Sequence, residues 1–354
     1  MSDRNFYQQL RGILEREAVV MATILKVIGS APREVGAKMA VCADGSIIGT
    51  IGGGAGEGKI IRRALTVFKT GEKQLVEIDL TGTPGKDIQG VCGGKVQVWL
   101  ETWSGTHAIA LVEKILELFK TGQSAKLITP LVENKQPDLI GKCDFSREIK
   151  NSLLLTSLAS PAQFIETIQP QPLLLIVGGG HVAVALAQIA SFAGFQIVVQ
   201  DDRPEFITPQ RFPQATFLFS SIGKTLDTLA AHSQIYIALV ARGYSQDIEA
   251  LQAILQRPLA YQYIGAIGSQ KRIRLIYQEL ERQGISIEKL DNFYAPIGLD
   301  IGALTPQEIA ISICGELIKV RRGGTGLSLC VAKHSPYRGK SRYPKVYPLG
   351  QATL

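Results

Sequence analysis

The stretch from Leu173 to Asp202, LLLIVGGGHVAVALAQIASFAGFQIVVQDD, constrains the fold more than any other part of the chain. Leu173 to Val177 is an apolar run of the length expected for a strand buried on both faces. Three glycines follow, then apolar residues at helical spacing: Val182, Leu186, Ile189, Ala190 and Ala193. Gly194 is placed to end that helix. Phe195 to Val199 is a second apolar run, closed by Asp201 and Asp202. Strand, glycine turn, helix, strand and acid within 30 residues predict a Rossmann-type unit.

The glycines fit the dinucleotide fingerprint as Gly178-x-Gly180-x-x-Ala183. The first permits a tight turn, the second lets a phosphate approach the backbone, and the small third residue lets helix and strand pack closely. The helix N-terminus offers unpaired N–H groups to an anion, and Asp201 stands where a ribose would be held. The alternative is a glycine turn kept for packing, since this fold hosts many functions.

After Asp202 the alternation continues, with strands expected at 215–219, 235–240, 263–267 and 294–297 and helices between them. Thr305-Pro306-Gln307-Glu308 opens the last helix with a capping box. Ligands of such sheets sit outside the carboxyl ends of the strands. That singles out His181 at the first helix start, Arg242 as a bidentate phosphate partner, and Ser269 with Lys271 and Arg272. Two cations at a helix start oppose its dipole, so a second anion site is expected there. Surface ion pairs and simple positional roles are the competing readings.

The first 105 residues read as mixed α+β. A helix over 5–17 carries Phe6, Leu10, Ile13 and Leu14 on one face, and 18–28 is a β-branched strand. Asp44-Gly45 marks a hairpin between 38–43 and 46–51. Two glycine-rich loops are longer than turns need: Gly49 to Gly54 before a helix expected from Glu57 to Lys69, and Thr81 to Gly94, which contains Cys92 and Gly93. Gly52, Gly53 and Gly54 offer backbone to a phosphate or polar heterocycle. Ser30, Arg33 and Lys38 look placed for an anion. Residues 106–170 form a connecting region, open to joining the first domain's sheet, with a polar segment over 133–150. The Rossmann-type domain spans 171–325, and 326–354 is a basic tail without regular structure. The fold class is therefore α/β, a C-terminal Rossmann-type parallel sheet with an N-terminal mixed α+β domain.

At 45% hydrophobic and 19% charged residues the chain has ample material for cores of that size. No uninterrupted apolar run reaches the roughly 18 residues of a membrane span, and the N-terminus has no secretory h-region, so the cytoplasm is expected. Five cysteines without a CxxC pair argue against a disulfide framework and a structural zinc site. A net charge of +7, partly in the tail and without interleaved aromatics, does not describe a nucleic-acid binder.

The motifs Gly29-Ser30-Ala31-Pro32-Arg33-x-x-Gly36-Ala37-Lys38-Met39, Gly49-Thr50-Ile51-Gly52-Gly53-Gly54-x-x-Glu57 and Cys92-Gly93-Gly94 resemble the first domain of the XdhC/CoxI family. These are accessory factors for xanthine dehydrogenase and related molybdenum hydroxylases. The Rossmann segment, Tyr263-Ile264-Gly265-x-Ile267-Gly268-Ser269, and Ile297-Gly298-Leu299-Asp300-Ile301-Gly302 with Pro306-x-Glu308-Ile309-Ala310 are similar to its second domain. The resemblance spans most of residues 10–325. It implies a non-catalytic chaperone that binds the molybdenum cofactor (molybdopterin), shelters it during sulfuration and delivers it to an apo molybdenum hydroxylase. It implies a cysteine desulfurase partner and a homodimer, with no nucleic acid or membrane partner. The cofactor contacts would be Ser30, Arg33, Lys38, Gly52, Gly53, Gly54, Glu57, Cys92 and Gly93, with Gly178, Gly180, His181, Asp201, Arg242 and Ser269 from the second domain. Cys92 is the candidate metal ligand, a soft donor for a metal–sulfur centre. Ala55 and Gly56 stand where family members often carry Cys or His, and Tyr244 where many have His, so ligand roles there are lost. On this reading the Rossmann segment and the two glycine loops form walls of one cofactor cradle. The rival is an NAD(P)-dependent oxidoreductase; it needs a proton-transfer residue near the nicotinamide, and His181 sits at the phosphate end.

Overall fold

A computed structural model describes residues 3–80, 93–133, 135–142, 152–154, 162–257, 259–285 and 293–328. The strands of the C-terminal half are β10 (Leu173–Val177), β11 (Gln196–Gln200), β12 (Ala215–Phe219), β13 (Ile235–Leu239), β14 (Tyr261–Ala266) and β15 (Phe293–Tyr294). They form a six-stranded parallel sheet in the order β12-β11-β10-β13-β14-β15. The strand order reverses between β10 and β13, the place where a doubly wound sheet opens a crevice.

Alternation along β10 assigns the helices to faces. Leu174 and Ile176 point to α4 (His181–Phe192) and α8 (Pro306–Arg322). Leu173, Leu175 and Val177 point to α5 (Ile222–Leu229), α6 (Tyr244–Leu255) and α7 (Gln270–Arg282). Every residue of β10 and β13 is buried, which is why both read as unbroken apolar runs. The capping box of α8 forms as expected, with the Thr305 hydroxyl accepting from the Glu308 N–H.

The N-terminal sheet comprises β1 (Val19–Ile28), β2 (Lys38–Val41), β3 (Ile47–Gly49), β4 (Gln74–Asp79) and β5 (Lys95–Trp103). It is antiparallel, in the order β3-β2-β1-β5-β4. Val20, Ala22 and Ile24 face α2 (Gly54–Thr70). Val19 and Met21 face α1 (Asp3–Leu14) and α3 (Gly105–Thr121).

The connecting region does not extend that sheet. Its strands are β6 (Ala125–Pro130), β7 (Asp138–Lys142), β8 (Ser152–Leu154) and β9 (Gln163–Ile168). They build a four-stranded antiparallel sheet of their own, β7-β6-β9-β8. β7 lies inside the segment expected to be polar loop, because one side of so short a strand carries little apolar signal. Two helices begin three residues earlier than expected, α2 at Gly54 and α6 at Tyr244. Each follows a glycine N-cap, Gly53 or Gly243, which apolar periodicity does not mark. Most of the basic tail, residues 329–354, lies outside the described residues.

Candidate functional site

The N-terminal loops converge on one rim. A Cβ on Gly52 would come within 2.5 Å of the Pro32 ring, and one on Gly94 within 2.3 Å of the Ser30 carbonyl oxygen. Gly29, at φ +78°, lies against the Gly93 carbonyl. The sequence motifs around Ser30, Gly52 and Gly93 therefore meet in space because glycine at each contact lets backbones touch. Ser30, Arg33, Gly53, Gly54 and Gly93 are exposed on this rim. Arg33 makes no ion pair with a described residue. Gly53 and Gly54 have open space where side chains would be, with backbone at φ +78° and +68°. Cys92 lies outside the described residues, next in sequence to Gly93.

Two of the expected contacts serve the protein instead. Glu57 folds back onto its own loop: one carboxylate oxygen accepts from the Thr50 hydroxyl at 2.5 Å and from the Ile51 and Gly53 N–H groups at 3.2 Å. The glycine loop is thus an anion nest filled by the chain's own glutamate. Lys38, expected to be an anion contact, is buried in an ion pair with Glu166 on β9 and joins the first two sheets. Burial pushes the Glu166 carboxyl up despite the Lys38 ammonium beside it.

At the carboxyl edge of the parallel sheet, Gly178, Asp201 and Arg242 come together as expected. They line a cleft of about 210 Å³ with Asp202, Ser221 and Gln246. Gly178 takes φ +110°, and a Cβ there would strike the Ala241 backbone at 2.8 Å. The glycine turn is needed for the strands to approach at the switch point.

Asp201 is not free to hold a ribose. Its carboxylate accepts from the Gly179 N–H at 2.7 Å and from the Arg203 guanidinium at 2.9 Å through both oxygens. Burial opposes its ionisation, but the Arg203 and Gly179 hydrogen bonds outweigh burial and hold the carboxyl well below the usual range. Arg203 stacks on the Phe206 ring at 3.7 Å, and the Phe206 carbonyl sits 2.8 Å from where a Gly179 Cβ would be. The loop after β11 therefore folds over the glycine turn. Arg203 was not singled out from sequence, although a bidentate cation two residues after an acid is a legible signal.

Arg242 pairs with Asp202 at 3.4 Å, both side chains more than half exposed. Such a pair is worth about 0–1 kcal/mol, so the guanidinium remains available. Ser269 caps α7 through the Arg272 N–H. The anion expected near Lys271 and Arg272 is internal. Arg272 donates to the fully buried Asp247 at 2.5 and 3.0 Å and to the Ala241 carbonyl at 3.1 Å. Burial, outweighing Arg272, pushes the Asp247 carboxyl up to about 6. Gly180 caps α4. His181 begins α4 and lines a separate hollow of about 470 Å³ with Gln188, Arg211, Pro306 and Gln307.

Against known proteins, the XdhC Rossmann domain matches residues 174–317, and the XdhC and CoxI family matches residues 13–79. Together they take in more than half of the chain. The chain belongs to the XdhC and CoxI family. It is 28% identical over 308 residues to the uncharacterized protein YqeB of Escherichia coli K12, covering 86% of this chain but only 44% of YqeB. It is 28% identical over 334 residues to a Bacillus subtilis protein named as a probable xanthine dehydrogenase component, covering 90% and 98% of the two chains. It is 24% identical over 313 residues to the molybdenum cofactor insertion chaperone PaoD of Escherichia coli K12, covering 88% and 86%. Among solved structures, a xanthine dehydrogenase from Bacillus halodurans superposes with a TM-score of 0.70 at 27% identity, covering 91% of this chain and 96% of that one.

The two groups of expected contacts do not share one cradle within the chain. The N-terminal half is tied to the parallel sheet at its amino edge. Ser233, just before β13, donates to the Gly122 carbonyl at 2.8 Å, and Arg322 at the end of α8 holds both Glu34 oxygens at 3.0 Å. Arg321 lies 5.7 Å from the ring of Phe195, at the amino end of β11, which fixes that end of α8. The cleft at Gly178 and the hollow at His181 open at the other edge. α8 runs between the two edges, about 25 Å at 1.5 Å per residue.

Proposed function

We propose that this XdhC-type chain is a maturation factor that binds the molybdenum cofactor as cargo, shelters it while its terminal sulfur is installed and passes it to a xanthine dehydrogenase-type hydroxylase. The observation that carries the reading is the state of Asp201. The residue a nicotinamide enzyme would use for its ribose is closed by Arg203 and Gly179. The adjoining cleft of about 210 Å³ is below the roughly 300–1,000 Å³ usual for small-molecule sites. The likeness to a relative named as a molybdenum cofactor insertion chaperone supports the same reading.

The donor set of the N-terminal rim fits such cargo. Arg33 and the Ser30 hydroxyl suit its phosphate. The open backbone at Gly53 and Gly54 suits a flat, polar pterin that must lie close to the chain. A Cys92 thiolate suits a soft metal–sulfur centre. The partners on this reading are an apo molybdenum hydroxylase and a cysteine desulfurase that supplies the sulfur. No helix among the described residues is long and apolar enough to cross a membrane.

The test is to mix the purified chain separately with molybdenum cofactor and with NADP, then separate bound from free by gel filtration. The pterin is expected to travel with the protein, and Cys92→Ser or Arg33→Ala to lower retention about tenfold. Tight NADP binding with hydride transfer and no pterin retained would refute the proposal. Full retention by Cys92→Ser would remove that residue alone.

A further inference from the structure

The loop after β11 closes the glycine turn on one side and builds a wall on the other. A Cβ on Gly179 would lie 2.8 Å from the Phe206 carbonyl oxygen, so main chain stands where the fingerprint would admit a phosphate. Arg211 holds the loop in place, donating from Nε to the Phe206 carbonyl at 3.1 Å and from Nη2 to the Gly179 carbonyl at 2.7 Å. Gln210, Arg211 and Pro213 then border the hollow of about 470 Å³, together with Pro306 and Gln307 at the start of α8. The side that α4 supplies is His181, Val184, Ala185 and Gln188, which share one face of that helix by their spacing.

The polar groups of this hollow are unspent. The side chains of His181, Gln188, Gln210 and Gln307 make no hydrogen bond with another described residue. Arg211 gives both of its hydrogen bonds to main-chain carbonyls and pairs with no described acid, so its charge is unmatched and N–H donors are left over. No carboxylate is among the described residues that line the hollow. Val184, Ala185, Pro213 and Pro306 supply an apolar floor. A few convergent polar groups over apolar walls, in a volume within the roughly 300–1,000 Å³ usual for such sites, are the make-up of a small-molecule pocket. The smaller cleft at Gly178 has neither the volume nor the free acid-less lining.

We infer that the hollow binds a nucleoside monophosphate, with adenine the preferred base. Arg211 reaches the Gly179 carbonyl and so stands with His181 near the amino end of α4, where the two take the phosphate. Gln188 lies seven residues after His181, about 10 Å further along the helix at 1.5 Å per residue. Anion and ring are thus met at opposite ends of the hollow. A carboxamide sets one donor beside one acceptor and pairs through both with the N6/N7 edge of adenine. Gln188 is placed for that edge, and Gln210 and Gln307 add neutral donors and acceptors for the ribose hydroxyls. The amino group of cytosine is read by a carboxylate, which the lining lacks. A dinucleotide is not accommodated in the same way, because its pyrophosphate needs the Gly179 backbone that Phe206 covers. This site is separate from the N-terminal rim and does not depend on the cargo reading.

Isothermal titration of the full chain, free of molybdenum cofactor, with AMP tests the site. Saturable binding is expected, with adenosine and inorganic phosphate each at least about tenfold weaker. CMP, which has no N6/N7 edge, is expected to bind about tenfold more weakly than AMP. Gln188→Ala and Gln307→Ala, both at exposed positions, are expected to weaken AMP about tenfold with unchanged thermal melts. Arg211→Ala is expected to bring AMP down to the affinity of adenosine; should that variant unfold because Arg211 also ties the loop, the two glutamine variants still decide. Gln246→Ala, on the cleft at Gly178, is expected to leave binding unchanged. No saturable binding of AMP overturns the inference, and equal binding of AMP and CMP overturns the base preference. Binding that Gln246→Ala abolishes and Gln188→Ala leaves intact would put the nucleotide in the cleft and also overturn it. Displacement of AMP by molybdenum cofactor would make the hollow part of the cargo site, a third refutation. If wild type retains no cofactor, the functional reading fails while the AMP titrations still decide the hollow.

Discussion

Asp201 and Glu57 are the two acids most informative about this chain, because each occupies a glycine turn that a ligand anion would otherwise fill. Asp201→Asn keeps the shape and removes the charge facing Arg203. Losing hydrogen bonds to a charged group costs about 1.5–3 kcal/mol each, so a urea midpoint shift equivalent to about 2 kcal/mol is expected, with cofactor retention unchanged. The glycines of the rim separate in the same way. Gly53→Ala meets no neighbour and bears only the backbone cost of φ +78° with ψ −179°, a region essentially reserved for glycine, about 1–3 kcal/mol. Gly52→Ala also drives a methyl into Pro32 and is expected to cost about 3 kcal/mol or more. Thermal melts of the pair check the difference. Equal melts would mean that Pro32 yields and the loops do not pack as described.

At the scale of elements, the junction between α3 and β13 answers to pH. The His232 ring lies 2.4 Å from where a Gly122 Cβ would sit, and its Nδ1 accepts from the Gln234 N–H at 3.1 Å. Burial lowers its pKa from 6.5 to about 4. Between those values the unfolded chain holds the proton and the folded chain does not. Stability therefore falls as pH drops through that window. Asp247, raised to about 6, acts in the opposite sense: its protonated form suits the fold, and its contribution is lost as pH rises through that value. The thermal midpoint of His232→Asn is expected to fall less between pH 6.5 and 4.5 than that of wild type. Parallel curves would show that His232 does not titrate in the fold. Elements of this kind were unevenly legible in the sequence. β10, α4 and β11 announce themselves because burial on both faces leaves an unbroken apolar run and the turn needs glycine. β7 does not, because a five-residue strand carries too little pattern. The pairing of Lys38 with Glu166 spans 128 positions and leaves no local trace. Asp201 was placed correctly at the end of β11, but its closure depends on Arg203 and Phe206 folding back, which periodicity does not encode.

At the scale of the whole molecule, the separation of the glycine rim from the carboxyl-edge openings governs how cargo is held. A single chain offers the two surfaces at opposite ends of α8. The fingerprint that most constrains the fold therefore serves first as a packing device, with Asp201 as its internal anion. The chemistry proposed for the chain lies in handing over a cofactor, and the most direct measurement is transfer. An apo xanthine dehydrogenase-type hydroxylase is supplied with molybdenum cofactor in air, either free or already bound to this chain, and its gain of activity is followed. The bound cofactor is expected to activate several-fold more enzyme than the same amount of free cofactor, with Arg33→Ala reducing the gain. Equal activation by free and bound cofactor, or no cofactor carried by the chain, would contradict the account.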